Sequence, residues 1–413
     1  MEPGPRAVCN GGEVPSNTHV SGWVGLVAGI AERVVAVAVQ GMHRAVSDGA
    51  FRWLGPIGTP VKQIHDAVTD RAYGIVRAGL RGAGELGRAL PGPRGEDRSS
   101  SVALKARAIA HGALDEQLLD LAPELDLEVT LRQEGREVSP DAGGLDAAYP
   151  HARGRIVVFV HGLVDHDAVW CAGSGPEVTL PQVAVETGAI PVFVRYGTGR
   201  AIGRNGADLA ELLEAVIRAW PVPVTRLVVV GHSMGGLITR AACATARERG
   251  HAWPAALTDV VYLATPHLGS WLEKAANVGT WALRHSSPYS APIGTLLDLR
   301  SRGIKDLRFG TLHDDGWATA SIDGLLTGRA PDGPWLGEVT HHLVAGRLRP
   351  ARRHPLNIVF GDGFVRAGSA AGVGRRRRIG DGQVAVLPVD GSHSGLVRHP
   401  EVAGLLRRVL DPG

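Results

Sequence analysis

The feature that most constrains this chain is a serine set between an apolar run and a segment of small residues. Residues 226–242 read RLVVVGHSMGGLITRAA, with Gly231, Ser233 and Gly235 in a G-x-S-x-G pattern. The β-branched run before the serine predicts a strand, and the run of small residues after it predicts a helix. A tight strand-to-helix turn at this spacing holds the serine in a strained backbone conformation and exposes its hydroxyl. We therefore predict that Ser233 is a nucleophile at the carboxyl end of a buried strand.

From about residue 103 onward, short β-branched runs alternate with amphipathic helices. The runs are residues 157–160, 191–194, 227–230 and 260–263. Continuous apolar runs are typical of parallel strands that are buried on both faces. A helix is predicted between the second and third runs, with Asn205 as its cap. This alternation predicts an α/β fold with a mostly parallel central sheet.

A serine nucleophile that attacks a carbonyl also needs backbone N–H groups directed at the developing oxyanion. The residue after the nucleophile, Met234, is expected to supply one of them. The loop after the 157–160 strand continues as His161, Gly162 and Leu163, and we expect the Leu163 amide to supply the other. His161 is expected to shape this loop and to carry no proton in the reaction.

His393 is the predicted general base, because it lies on a polar loop directly before the last helix. In such folds the base follows the nucleophile and the acid in the chain. His399 precedes Pro400 and is expected to begin the helix, whereas His341 and His342 lie in a predicted strand where alternation buries one of them. No third metal ligand is evident beside these histidines in the sequence, so we do not expect a metal site there.

Asp362 is the predicted acid that orients the base, because it stands between two glycines after an apolar run. Asp381 competes with it, since it has the same Gly-Asp-Gly surroundings. Asp381, however, precedes the predicted strand 384–387 and does not follow one. We therefore expect Asp381 to lie nearer the opposite edge of the sheet.

Several motifs together resemble one family. They are VHGL at 160–163, GHSMGG at 231–236, ATPHLGS at 264–270, GDGFV with a following Ser-Ala, and HSGLVRHP at 393–400. In combination they resemble the lipase and GPI inositol-deacylase-like branch of the α/β-hydrolase superfamily over about residues 125–412. The segment RYGTGRAIGRNG, 195–206, is similar to a turn and helix start of that branch.

The resemblance implies an α/β-hydrolase fold and hydrolysis of carboxylic esters, often of lipids, with no cofactor. It implies the triad Ser233, Asp362 and His393. The chain departs from the family pattern after the acid, where Arg366 and Ala367 stand and a proline is expected.

Three regions are predicted along the chain. Residues 1–18 have a composition typical of disorder, and residues 19–100 are predicted to form helices followed by a linker at 91–100. Residues 101–413 form the predicted hydrolase domain. Within it, residues 271–337 lack strand character and carry four tryptophans, so we expect a cap that sets acyl or alcohol specificity.

Composition bears on partners and compartment. The net charge of +3 gives no argument for nucleic acid as a partner. The three cysteines are odd in number and widely spaced, so no disulfide framework is expected. The apolar segment 23–39 is interrupted by Glu32 and Arg33, which disfavours a spanning helix. We expect a cytoplasmic protein with peripheral membrane contact through its N-terminal helices. The sequence does not indicate the oligomeric state.

Two other functions fit the same sequence. One is an acyltransferase that uses the same triad with an acceptor other than water. The other is a non-catalytic, membrane-associated scaffold that retains the hydrolase fold.

Overall fold

The described part of the chain is built around an eight-stranded sheet. The structure is a computed structural model, and it describes residues 127–171, 178–269, 338–348, 365–372 and 384–411, together with isolated residues between 40 and 81 and residues 108, 306, 336 and 362. The strands are β1 Thr130–Gln133, β2 Arg136–Val138, β3 Arg155–Val160, β4 Ile190–Arg195, β5 Arg226–His232, β6 Leu257–Leu263, β7 Thr340–Arg347 and β8 Val384–Asp390.

The strand order is β2-β1-β4-β3-β5-β6-β7-β8. From β4 to β8 all neighbouring strands are parallel, whereas β1 is antiparallel to both of its neighbours. The helices are α1 Ala142–Ala148, α2 Leu180–Glu186, α3 Ile202–Ala219, α4 Met234–Arg249, α5 Ala367–Ala370 and α6 Pro400–Leu410. The predicted mostly parallel α/β architecture is confirmed, and it is the α/β-hydrolase fold.

Both faces of the sheet are covered, which explains why its strands read as continuous apolar runs. In β3, Ile156, Val158 and Val160 point into one buried cluster, together with residues of α3 and α4. Val157 and Phe159 point into a second cluster on the other face, with residues of α2 and α6. Because residues 156–160 of this strand are all buried, no polar residue alternates with the apolar ones there.

The connections place a crevice at the carboxyl edge of the central strands. From β3 the chain continues to β4 on one side, and it then returns to β5 on the other side. In open α/β sheets, ligands bind outside the carboxyl ends of the strands at such a reversal. The ends of β3 and β5 are therefore the place to look for a site.

The start of α3 corrects a prediction. The helix begins after Ala201, which has no side chain able to cap it, and Asn205 lies one turn inside the helix. The Ile202 amide instead donates to the carboxylate of Asp306 at 2.8 Å, a residue 104 positions away. The Asn205 side chain donates to the Gly197 carbonyl at 2.9 Å. A cap needs an acceptor at the helix end, and here a distant part of the chain supplies it.

The two described cysteines differ in their covalent state. Cys171 is disulfide-bonded, whereas Cys243 is a buried free thiol. Burial raises the pKa of the Cys243 thiol to about 12, so this cysteine stays protonated and inert near neutral pH.

In the N-terminal region, every described residue from Gln40 to Arg81 is helical. Two segments contact each other through polar side chains. Arg44 pairs with Asp70 at 2.6 Å and Lys62 pairs with Asp48 at 2.8 Å. Both basic groups are thus paired with carboxylates.

Several predicted regions lie outside the described residues. They are the 1–18 segment, the 91–100 linker and, apart from Asp306 and Leu336, the predicted 271–337 cap. Among the helices that the structure does describe, none is long and apolar enough to cross a membrane.

Candidate active site

Ser233 occupies the turn between β5 and α4. Its φ of 52° and ψ of −118° lie in a region that side-chain-bearing residues rarely adopt, and such a backbone costs about 1–3 kcal/mol. The Ser233 amide donates to the Leu263 carbonyl of β6 at 2.8 Å, which ties the turn to the sheet. The strained elbow predicted from the sequence is present.

The glycines beside Ser233 are required for two different reasons. A Cβ on Gly235 would lie 2.3 Å from the His161 carbonyl oxygen, at the end of β3. A Cβ on Gly231 would lie 2.7 Å from Gly236 Cα, inside the first turn of α4. Only Gly235 therefore meets a neighbouring strand, whereas Gly231 allows the helix to fold back onto its own strand.

The structure brings the predicted base and the predicted acid into contact. His393 Nδ1 lies 2.9 Å from Asp362 Oδ2, and the Asp362 side chain is fully buried. The His393 amide also donates to the Asp362 carbonyl at 3.1 Å. Since a carboxylate only accepts, this bond places a proton on Nδ1 of His393. Nε2 is then left to accept a proton.

Asp362 is held by its own loop and by the end of β7. Its Oδ1 accepts from the Val365 amide at 2.9 Å. On the other side, a Cβ on Gly346 of β7 would lie 2.7 Å from the Asp362 Cβ. Gly346 therefore makes room for the acid. The sequence does not indicate Gly346, because nothing near it in the chain marks its role.

His232 contacts the loop that carries His393. Its Nε2 lies 3.1 Å from the His393 carbonyl oxygen, so Nε2 must carry the proton and donate. The two imidazole rings are 4.9 Å apart. Burial, with a further contribution from His393, lowers the pKa of His232 to about 3. This histidine is therefore neutral near pH 7 and holds the His393 loop through a main-chain contact.

The loop after β3 lies against the nucleophile. A Cβ on Gly162 would lie 3.3 Å from Ser233 Cβ, so Leu163 follows directly at this edge. Met234 is the first residue of α4, where backbone amides have no partner within their own helix. Gly162 and Met234 thus lie next to Ser233, and the oxyanion roles of Leu163 and Met234 stay predictions.

His161 has the structural role that the sequence predicted. It is fully buried, its ring stacks on Tyr196 at 4.2 Å, and its Nε2 accepts from the Tyr196 amide at 3.3 Å. Burial lowers its pKa to about 4.

The other histidines considered as a base lie elsewhere. His399 caps α6, with Nδ1 accepting from the Glu401 amide at 3.3 Å. His341 is buried and lies 3.2 Å from the Tyr262 hydroxyl. His342 is only partly buried and lies 2.9 Å from Asp259, so one histidine of the pair is buried as strand alternation predicted. Asp381 lies outside the described residues, and within those residues no cluster could hold a metal ion.

Ser369 joins the acid loop to the loop after β6. Its hydroxyl accepts from the Leu268 amide at 3.1 Å and donates to the Gly269 carbonyl at 2.9 Å. The Ser-Ala pair of the family motif is therefore a connection between two loops at the carboxyl edge of the sheet.

Known proteins resemble the chain in part. Residues 151–293 match the model of the family described as "Putative serine esterase (DUF676)". No curated protein matches the chain. The lipase BlEst2 of Bacillus licheniformis, in its mature form, is 17% identical, with a TM-score of 0.42, covering 62% of this chain and 91% of that one. A hyperthermophilic esterase of the archaeon Pyrobaculum calidifontis is 14% identical, with a TM-score of 0.38, covering 75% of this chain and 88% of that one.

The α/β-hydrolase fold and the match to a serine esterase family identify the chain as an enzyme, a carboxylic ester hydrolase. The matched segment contains Ser233 and both predicted oxyanion donors, but it ends before Asp362 and His393. None of the matches described above names a GPI inositol deacylase, so that part of the resemblance stays a prediction.

Proposed function

We propose that Ser233, His393 and Asp362 form a catalytic triad that hydrolyses lipid-like carboxylic esters through an acyl-enzyme. The observation that carries the proposal is the 2.9 Å contact between His393 Nδ1 and Asp362 Oδ2. This contact lies at the carboxyl edge of the sheet, where the strained Ser233 follows β5. A buried carboxylate holds the imidazole in the tautomer that can accept a proton from the serine.

The reaction then has two halves. His393 Nε2 takes the Ser233 hydroxyl proton as Oγ attacks the ester carbonyl, and the resulting oxyanion is held by the amides of Leu163 and Met234. His393 returns the proton to the leaving alcohol, which leaves an acyl-serine. A water molecule, deprotonated by His393, attacks the acyl group in the second half, and the carboxylic acid is released with free Ser233.

The substrate class is proposed from the family resemblance and from the composition of the predicted cap. Residues 271–337 carry Trp271, Trp281, Trp317 and Trp335, whose rings suit an apolar chain. A series of p-nitrophenyl esters of increasing acyl length tests this part. We expect kcat/KM to rise with chain length, and a preference for acetate would contradict a lipid-like substrate.

The nucleophile is tested with Ser233→Ala. We expect esterase activity and labelling by a fluorophosphonate probe to be lost together, with the melting temperature unchanged. The matched control is Ser392→Ala, which removes a hydroxyl from the neighbouring His393 loop and keeps Ser233. Labelling that persists in Ser233→Ala would overturn the proposal.

The acyltransferase alternative uses the same residues and differs only in the acceptor. Product analysis with added alcohols separates the two functions, because an acyltransferase forms a new ester in preference to the free acid. The scaffold alternative predicts no turnover and no probe labelling of the full chain.

A further inference from the structure

We propose that Thr198 is a positioning residue, which holds the loop carrying the oxyanion donor Leu163. The proposal rests on the proposed function, since it assigns Thr198 a role in that same site. Thr198 lies in the 195–206 segment, whose sequence is similar to a turn and helix start of the resembled family and which has no role in the proposed mechanism.

The loop after β3 is strained beside the predicted donor. Val164, the residue after Leu163, has a φ of 53°. For a β-branched side chain this conformation is unfavourable and persists only when neighbouring groups enforce it. Some contact must therefore hold Val164 in place.

Thr198 makes that contact. The Val164 amide donates to Thr198 Oγ1 at 3.2 Å, and Thr198 is 1% exposed. The bond engages the amide next to Leu163. Among the described residues the Leu163 amide itself makes no hydrogen bond. It is thus the amide that remains available to a substrate oxyanion.

Thr198 is itself held from the helix side. It follows Gly197, whose carbonyl accepts from the buried Asn205 side chain at 2.9 Å and from the Arg200 amide at 3.3 Å. The turn after β4 is therefore fixed on α3 and can brace the loop after β3.

A second contact joins the same two loops at their base. The Tyr196 hydroxyl donates to the His161 carbonyl at 2.7 Å, and the two rings stack. This contact fixes the start of the loop, whereas Thr198 fixes it after Leu163. Leu163 is thus bracketed on both sides by residues that follow β4.

The experiment compares Thr198→Val with Thr198→Ser. Valine keeps the shape but lacks the acceptor, whereas serine retains the hydroxyl. With p-nitrophenyl butyrate, we expect Thr198→Val to lower kcat about tenfold to a hundredfold, somewhat less than the loss of a whole donor, with KM within about twofold. Thr198→Ser should stay within about threefold of the unmodified enzyme.

Binding of a trifluoromethyl ketone gives the second readout, because its hemiketal oxyanion uses the same donors. In Thr198→Val its inhibition constant should rise by the factor by which kcat/KM falls. Thr187→Val is the matched control. It removes a hydroxyl bonded to Val183 and Ala184 at the end of α2, before the amino end of β4, and should leave both constants unchanged.

The outcomes separate the two proposals. If Ser233→Ala retains activity, the proposed function fails. If Ser233→Ala is inactive but Thr198→Val matches the unmodified enzyme, or serine and valine are equally impaired, the role of Thr198 is wrong. A loss that appears only in KM would also overturn it.

Discussion

Asp362 and His393 are joined twice, once through their side chains and once through their backbones. Nδ1 of His393 lies 2.9 Å from Oδ2 of Asp362, and the His393 amide donates to the Asp362 carbonyl at 3.1 Å. The backbone bond fixes the two loops relative to each other. The imidazole and the carboxylate are therefore already positioned for their hydrogen bond.

Asp362→Asn is expected to lower kcat by about four orders of magnitude, because an amide no longer holds the imidazole in the required tautomer. The backbone bond survives, so the melting temperature should change little. Asp381→Asn is the control and should leave kcat nearly unchanged. If the two variants behave the other way round, Asp381 is the acid.

Gly346→Ala is expected to displace the acid, since the new Cβ would lie 2.7 Å from the Asp362 Cβ. A small misplacement of a catalytic group costs up to about a hundredfold in rate, so kcat should fall more than KM rises. Gly404→Ala in α6 is the matched control, because its Cβ meets only the Arg408 guanidinium at 3.6 Å. Equal activity in the two variants would show that Asp362 tolerates the added methyl.

His232→Gln should retain most of the activity, whereas His232→Asn should lose at least about tenfold. A glutamine amide nitrogen reaches the position of Nε2, which donates to the His393 carbonyl at 3.1 Å, but an asparagine amide is too short. Steady-state kinetics and melting curves of both variants measure this. Equal rates in the two variants would contradict a positioning role for His232.

The stability of the protein should fall as the pH drops below about 6.5. Burial lowers the pKa of His161 and His341 to about 4 and that of His232 to about 3, whereas unfolded histidine titrates near 6.5. Between these values the unfolded chain binds protons that the folded chain excludes. In this pH range, each of the three histidines therefore lowers the free energy of unfolding by about 1.4 kcal/mol for each unit by which the pH falls.

Urea unfolding between pH 8 and pH 5 measures this loss, and above pH 7 these histidines should contribute no slope. His341→Gln removes one of the three groups and should reduce the slope below pH 6.5. A free energy of unfolding that stays constant down to pH 5 would contradict the prediction.

Peripheral membrane contact of the N-terminal helices also remains a prediction. We expect the full chain to sediment with vesicles that contain phosphatidylserine and less with phosphatidylcholine alone, because each basic residue near an anionic surface gains about 1 kcal/mol. Exchange of the exposed Arg71 and Arg81 for glutamate should weaken binding. The same exchange at the exposed Arg136 and Arg247 should not. Equal binding of all variants would exclude these helices as the contact.

The sequence determined the parts of this protein that depend on neighbours along the chain. The boundary between β5 and α4 at Ser233, the buried parallel strands and the loop before α6 all follow from apolar runs, glycines and turn residues within a few positions. The turn geometry at Ser233 is local, so its φ of 52° could be anticipated from G-x-S-x-G alone.

Only the tertiary structure decided which distant residues support that site. Val164 and Thr198 are 34 positions apart, and Ile202 receives its cap from Asp306, 104 positions away. The sequence suggested Asn205 as that cap, because a local pattern cannot reveal an acceptor from another part of the chain. Such hydrogen bonds depend on strand order and register, which bring the loops at the carboxyl edge together. Local propensity carries no information about them.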